Sequence, residues 1–264
     1  MTKQSIIGGS ASETSTDLNI DAETAYKTNT DFWDTIGSDI LGVTALPSYG
    51  GFNSEDKLHL LGDVTNKKIL EIGCGNGHSL KYVSDMGANE LWGIDISAEQ
   101  VRRTQEFLRS DKIEANIICA PMESECGIPK EYFDIIYSVY AIGWSTDLKQ
   151  TFRQIYSYLK KDGVFIFSWS HPIHKCVSIE NDTLIFCNSY FDESRYSVSL
   201  ENKNIVLSNR KLSTYINTLA ENGFMIEKLV EETDEDSLKN VKDKDFCNKA
   251  KMLPVTFVIK ARKI

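Results

Sequence analysis

Three glycines at alternate positions, Gly73, Gly75 and Gly77, mark the part of this sequence with the clearest chemical meaning. They lie in LEIGCGNGHSL at 70–80, behind an apolar run and ahead of a predicted helix. A strand, a glycine loop and a helix in this order place backbone N–H groups and a helix N-terminus against a ligand. Asp95 ends the next predicted strand, where a carboxylate can accept hydrogen bonds from ribose hydroxyls. The pattern therefore predicts a nucleotide-containing ligand.

The glycine spacing differs from the GxGxxG fingerprint of dinucleotide-binding loops. That fingerprint places its third glycine three residues after the second, where this sequence has His78, and Gly77 comes one residue early. The spacing here is Glu71-x-Gly73-x-Gly75-x-Gly77. A dinucleotide is thus disfavoured, although it stays an alternative at this point.

The elements around the loop alternate between apolar strands and helices. Helical apolar spacing is found at 98–110, with Val101, Phe107 and Leu108, and again at 148–161. Such alternation predicts a parallel sheet, and strands without polar alternation predict a sheet covered on both faces. The predicted strands are 67–73, 91–97, 115–121, 133–141, 162–170, 224–232 and 254–263.

The bulk composition excludes some classes of protein. The chain has 264 residues, a net charge of −9 and no Lys/Arg run longer than two residues, which disfavours nucleic-acid binding. The first 20 residues are polar, are expected to be flexible and contain no signal-peptide core, so we expect no membrane partner and a cytoplasmic location. Six cysteines without a CxxC pair predict reduced thiols and no metal site.

Taken together, the motifs resemble those of class I S-adenosylmethionine-dependent methyltransferases, and within them the bacterial type 11 branch. LEIGCGNGHSL and LWGIDIS resemble the first two motifs of that class, and LKKDGVFIFS resembles its LKPGG strand entry. The resemblance covers about 67–170 and returns at the last two strands. It implies an α/β fold with a doubly wound, Rossmann-like seven-stranded sheet, mostly parallel with an antiparallel last strand. It also implies one domain at 21–264, with a helical lid at 21–62 and a substrate-side insertion at 171–210.

The resemblance implies S-adenosyl-L-methionine as the cofactor, with S-adenosyl-L-homocysteine as its product. The glycines would face its methionine end, Asp95 its ribose, and Ile96 its adenine ring. Pro121 stands where many members carry an acidic residue, so the adenine contact falls to backbone or to Glu123. The residues assigned to the cofactor are Glu71, Gly73, Cys74, Gly75, Gly77, Asp95, Ile96, Met122, Glu123 and Tyr137.

The acceptor is predicted to be a small molecule, held in line with an activated methyl group in a site without bulk water. Ligands of open α/β sheets bind beyond the carboxyl ends of the strands, where His171 follows the fifth strand directly. His171 is therefore the candidate general base, although a structural role for it is an equally good hypothesis. The residues assigned to the acceptor pocket are Tyr26, Trp33, Tyr140, Trp144, His171 and Tyr190.

Three alternatives stay open at the level of sequence. An RNA-modifying methyltransferase is disfavoured by the net charge of −9. An NAD(P)-dependent oxidoreductase is disfavoured by the glycine spacing and by the last two strands. A catalytically silent module that only binds the cofactor is not distinguished, because no residue on the acceptor side is diagnostic.

Overall fold

The computed structural model describes residues 20–36, 45–50, 53–180, 183–200, 202–239 and 241–264. The predicted flexible N-terminus lies almost wholly outside these ranges, as do parts of the predicted lid and insertion. The strands are β1 Lys68–Ile72, β2 Glu90–Asp95, β3 Asn116–Cys119, β4 Phe133–Ser138, β5 Leu159–Ser170, β6 Val177–Glu180, β7 Thr183–Phe186, β8 Arg195–Leu200, β9 Lys203–Ser208, β10 Phe224–Val230 and β11 Thr256–Lys263. The helices are α1 Ala22–Thr35, α2 Glu55–Leu58, α3 His78–Asp85, α4 Ala98–Ser110, α5 Leu148–Tyr158, α6 Pro172–Cys176, α7 Leu212–Glu221, α8 Glu235–Leu238 and α9 Lys244–Met252, with a 3₁₀ turn at Ile142–Trp144.

Seven strands form one sheet in the order β10-β11-β5-β4-β1-β2-β3. β1 lies at its centre and pairs in parallel with β2 and β4. β11 runs antiparallel to both of its neighbours, β10 and β5. The predicted fold class is therefore confirmed, including the single antiparallel strand near the end of the chain. This order brings the carboxyl ends of β1, β2, β4 and β5 to one edge of the sheet.

Residues of β5 alternate between the two faces of the sheet and so join two cores. Phe165, Phe167 and Trp169 pack into the cluster that also contains residues of α5 and α7. Val164 and Ile166 pack on the opposite face, in the cluster that also contains residues of β1. Trp169 is the last of the three aromatic residues on the first of these faces. It therefore lies at the carboxyl edge, where the ligands of such sheets bind.

The boundary between α5 and β5 differs from the prediction. Apolar spacing predicts a helix over 148–161, but α5 ends at Tyr158 and β5 begins at Leu159. Leu159 is fully buried and pairs with Phe133 of β4. Tertiary pairing with β4 thus overrides the helical pattern at this point.

Two hairpins, β6–β7 and β8–β9, make up most of the insertion after β5. Residues 188–191, between the two hairpins, form bends and turns, and the Phe191 side chain is exposed. Helix α1 packs on β9, where the buried Asn29 side chain bonds both the N–H and the C=O of Val206, each at 2.8 Å. This pair of bonds attaches the N-terminal helix to the insertion.

Candidate functional site

The loop between β1 and α3 has a backbone that only glycine can form without strain. Gly73 and Gly77 have φ angles of +73° and +77°, in the left-handed region. A Cβ at Gly73 would overlap Ala141, which follows β4, and a Cβ at Gly77 would lie 2.8 Å from Thr104 of α4. The bare backbone therefore lets the loop pack directly against the segment after β4, and it leaves a cradle at the sheet edge.

Asp95 holds this loop from the end of β2. Its carboxylate accepts hydrogen bonds from Gly75 N–H at 2.9 Å and from Ser97 N–H at 3.0 Å. Burial raises the pKa of Asp95 above its ordinary value, while the N–H groups of Ser97, Gly75 and Ile96 oppose that rise. The side chain is only half-buried, so the carboxylate can accept further hydrogen bonds from a ligand. Ile96 lies beside it and is also half-buried.

Glu71 and Tyr137 lie on the buried side of the loop and stabilise it there. Glu71 is 2% exposed and accepts hydrogen bonds from Ser79 and from the Tyr137 hydroxyl, the latter at 3.2 Å. Burial raises the pKa of Tyr137 well above its ordinary value, so this hydroxyl is protonated and donates. The Tyr137 side chain is fully buried, which corrects its assignment to the cofactor surface.

Cys74 also faces the interior. Its side chain is buried against the close-packed Gly93 of β2, where an added Cβ would lie 2.9 Å from the Cys74 sulfur. Burial raises the pKa of the Cys74 thiol well above its ordinary value, so the thiol stays protonated and unreactive. Only the backbone of Cys74 belongs to the cradle.

Glu123 connects the segments that follow β3 and β4. Its carboxylate accepts hydrogen bonds from the Thr146 hydroxyl and from Thr146 N–H, the latter at 3.0 Å. Met122 is partly buried against the main core. Both residues lie on the segment beyond β3, next to the loop that carries Asp95. One Glu123 oxygen is thus already used by Thr146.

Asp34 at the end of α1 is a site residue that the sequence analysis missed. Its carboxylate accepts from the Ser97 hydroxyl at 2.6 Å and from Glu99 N–H at 3.2 Å, so it caps the N-terminus of α4. Gln100 Nε2 donates to the Trp33 carbonyl at 3.1 Å. Helix α1 is thereby docked beside Asp95. No sequence signal identifies this contact, because Asp34 and Ser97 lie far apart in the chain.

An aromatic cluster lies next to the cradle, and it contains three of the residues assigned to the acceptor pocket. Trp33 and Trp144 meet edge-to-face, with ring centroids 5.1 Å apart. Trp144 also contacts Trp169 at 6.3 Å, and Trp169 contacts Tyr140 at 4.8 Å. Gly143 makes this packing possible, because a Cβ there would overlap the Trp169 indole. We call Trp33, Tyr140, Trp144 and Trp169 the aromatic cluster.

The other two rings assigned to the pocket lie elsewhere. Tyr26 is on α1, two turns before Trp33. Tyr190 contacts Phe191 at 6.0 Å, and its hydroxyl accepts from Leu212 N–H at 3.2 Å, at the start of α7. The structure therefore brings Trp33, Trp144 and Tyr140 together, and it places Tyr190 in the insertion as an anchor for α7.

His171 has both ring nitrogens engaged within the protein. Nδ1 accepts from Ile173 N–H at 3.1 Å, so the ring proton lies on Nε2, which donates to Glu231 at 2.7 Å. The residue is 5% exposed, and burial lowers the pKa of His171 although Glu231 opposes this shift. The lone pair that a general base needs is thus occupied by backbone. This geometry corrects the assignment of His171 as a base and supports its structural alternative, as the N-cap of α6.

Two general properties bear on the kind of site. Within the described ranges, no group of three His, Cys, Asp or Glu residues is arranged to hold a metal ion. No helix in the described part of the chain has the length and apolar character needed to cross a bilayer.

The strand order, the glycine loop after β1 and the carboxylate after β2 define the fold of class I S-adenosylmethionine-dependent methyltransferases. Residues 70–167 match the family model described as a methyltransferase domain, of type 11. This match confirms, over that segment, the resemblance to type 11 methyltransferases predicted from the sequence. The cofactor predicted from the sequence, S-adenosyl-L-methionine, is confirmed with it.

Known proteins of this kind resemble the chain over most of its length. The phosphoethanolamine N-methyltransferase of Plasmodium falciparum is 29% identical over 216 residues, which are 75% of this chain and 76% of that protein. An S-adenosylmethionine-dependent methyltransferase from Mesorhizobium loti is 23% identical, with a TM-score of 0.65 over 78% of this chain and 94% of that one.

A third similar protein is a geranyl diphosphate C-methyltransferase from Streptomyces coelicolor A3(2), solved with Mg²⁺, geranyl diphosphate and S-adenosyl-L-homocysteine. It is 15% identical, with a TM-score of 0.64 over 93% of this chain and 100% of that one. Other curated methyltransferases are matched over only 35%, 44% and 48% of their own length.

Proposed function

We propose that this protein transfers the methyl group of S-adenosylmethionine to a small-molecule acceptor. The observation that carries the proposal is the direct contact between two sites. The cradle backbone at Gly73 packs against Ala141, and Ala141 adjoins both Tyr140 and the 3₁₀ turn that carries Trp144. A ligand whose reactive end lies on the cradle is therefore adjacent to the aromatic cluster.

The residues of the cradle fit this cofactor. The positive φ angles of the glycines open the backbone at the sheet edge, and the half-buried Asp95 carboxylate faces the same edge. In the proposal, Gly73, Gly75 and Gly77 hold the aminocarboxypropyl end, and Asp95 holds the ribose hydroxyls. Ile96, Met122 and Glu123 surround the adenine.

When bound, S-adenosylmethionine supplies a methyl group that its sulfonium already activates. The task left to the protein is to align the acceptor and to exclude water. Trp144 is half-buried and packs on the buried Trp169, so it offers a supported apolar surface that suits both tasks. The Tyr140 hydroxyl bonds Ser170, and burial raises the pKa of Tyr140, so this group stays protonated and serves to position other groups.

We also propose that α1 acts as a cover over both ligands. Its support is the pair of attachments made by Asn29 to β9 and by Asp34 to α4. Deleting residues 1–50 should abolish transfer while the sheet remains folded. Normal transfer by a folded, truncated protein would refute the cover.

The cofactor is tested by calorimetric titration with S-adenosylmethionine, S-adenosylhomocysteine and NADH. Asp95→Asn keeps the size of the side chain but removes its charge. It should weaken the binding of S-adenosylmethionine and of S-adenosylhomocysteine about tenfold or more, since hydrogen bonds to charged groups contribute about 1.5–3 kcal/mol. Asp134→Asn is the matched control, because Asp134 also accepts a backbone N–H, at 2.9 Å from Lys68, on another part of the sheet. Binding of NADH alone would overturn the proposal.

The acceptor class is tested with S-adenosylmethionine carrying a labelled methyl group. Incubation with a cell extract, followed by separation of small molecules from RNA and protein, should place the label in the small-molecule fraction. Label in the RNA fraction would support the RNA-modifying alternative, and the absence of label would support a silent binding module.

A further inference from the structure

Two cations of the insertion region lie close enough to repel each other. Lys175 is on α6, and Arg210 is in the segment between β9 and α7. No Asp or Glu oxygen of the described residues forms an ion pair with either of them.

Lys175 lies in surroundings that do not favour its charge. Its Nζ is 4.4 Å from the centroid of the Tyr196 ring. Burial, together with the nearby Arg210, lowers the pKa of Lys175 to about 7, and only the neighbouring Cys176 opposes that shift. A partly buried ammonium of this kind is stabilised when an anion binds beside it.

Tyr196 supplies a donor that is still available. The residue is 7% exposed, and its hydroxyl is buried with no hydrogen-bond partner among the described residues. A buried hydroxyl without a partner costs free energy, and unpaired groups of this kind mark places where a ligand or water completes the bonding. The ring that carries this hydroxyl is the one beneath the Lys175 ammonium.

Arg210 connects this group of residues to the aromatic cluster. Its guanidinium donates to the Gly143 carbonyl at 3.4 Å and to the Ser145 carbonyl at 2.5 Å, on either side of Trp144. It also lines a cleft of about 570 Å³ between the start of α1 and the insertion, together with Asp147 and Glu193. Arg210 therefore links Lys175 and Tyr196 to the turn that carries Trp144, where the proposed function places the acceptor.

We propose that Lys175, Tyr196 and Arg210 bind the anionic group, a carboxylate or a phosphate, of a small acceptor whose apolar part contacts Trp144. The identification of this anion as part of the acceptor rests on the proposed methyl transfer. Lys175 and Tyr196 donate directly to the anion. Arg210 adds positive charge from the position in which it also holds the turn at Trp144.

The proposal is tested on the full chain saturated with S-adenosylhomocysteine, by tryptophan fluorescence. Benzoate and phenyl phosphate are the anionic probes, and benzamide is the neutral probe of matched shape. The wild-type protein should bind both anions at least tenfold more tightly than benzamide. Lys175→Met should weaken the binding of both anions about tenfold or more and leave the binding of benzamide unchanged, because it removes the charge and keeps the aliphatic stem. Lys175→Arg should retain the preference, and Lys203→Met, at an exposed lysine of β9, is the control.

Tyr196→Phe gives an independent measurement. It should weaken the binding of both anions several-fold. It should not lower the unfolding temperature of the free protein, because the hydroxyl has no partner to lose among the described residues. Equal binding of benzoate and benzamide, no binding of any probe, or unchanged anion binding by Lys175→Met would overturn the proposal. Calorimetry with S-adenosylhomocysteine separates the two proposals: loss of that binding refutes methyl transfer, whereas loss of the Lys175-dependent preference refutes the anion site alone.

Discussion

Replacement of Gly143 by alanine tests how the acceptor side is built. Gly143 does not adopt a left-handed conformation, so an alanine is compatible with its backbone, and the nearest obstacle to its Cβ is the Trp169 indole. Trp169 is 4% exposed and packed between Tyr140 and Trp144, so it cannot move away freely. Overpacking of this kind costs about 1–3 kcal/mol. For a chain of this size, that corresponds to a fall of about 2–4 °C in unfolding temperature for each kcal/mol.

The assay is a double-mutant cycle of Gly143→Ala and Trp169→Leu, with urea unfolding as the first measurement. In the Trp169→Leu background the alanine has room, so most of its cost should disappear. As a second measurement, Gly143→Ala should change benzoate binding and leave the affinity for S-adenosylhomocysteine within about twofold. The reasoning would be refuted if Gly143→Ala lowered the free energy of unfolding by the same amount, within about 0.5 kcal/mol, in the wild type and in Trp169→Leu. Agreement at that level is expected of independent sites.

Three further predictions concern other parts of the site. Asp34→Ala should lower the free energy of unfolding by about 1 kcal/mol, because the Glu99 N–H in the first turn of α4 loses its acceptor, whereas the exposed Asp31→Ala should have little effect in the same urea titration. Tyr137→Phe should lower the free energy of unfolding by about 1–3 kcal/mol, because the buried Glu71 carboxylate loses a hydrogen-bond donor. An unchanged denaturation midpoint would contradict this account. The pKa of Lys175 is lowered to about 7, so its charge is present below pH 7 and is lost above it. Benzoate affinity should therefore be full at pH 6 and fall by up to about tenfold per pH unit above 7, and a Lys175→Arg profile that fell equally would exclude Lys175 as the cause.

The sheet and the cradle could be predicted from the sequence because their signals are local. Apolar strands, the glycine spacing and a carboxylate after the second strand all lie within short segments around 67–97. The predicted helix over 98–110 coincides with α4. The end of α5 could not be predicted, because Leu159 is drawn into β5 by its pairing with Phe133, and that partner is distant in the chain.

The acceptor side could be predicted only in part, because its contacts join distant segments. Aromatic residues drew attention to Trp33, Tyr140 and Trp144, but residue type alone did not separate them from Tyr190. The strand-end position of His171 indicated a base. The structure shows instead that both ring nitrogens are used, one of them by a backbone N–H two residues later.

Helix α1 makes two attachments from one short element. Asn29 fixes it to the backbone of β9 at Val206, and Asp34 fixes it to α4 near Asp95. The two residues lie little more than one helical turn apart, so a stiff helix cannot release one partner far without disturbing the other. If α1 covers both ligands as proposed, entry of the donor and entry of the acceptor are mechanically coupled. In steady-state kinetics such coupling favours a compulsory order of binding and release, which product-inhibition patterns would reveal.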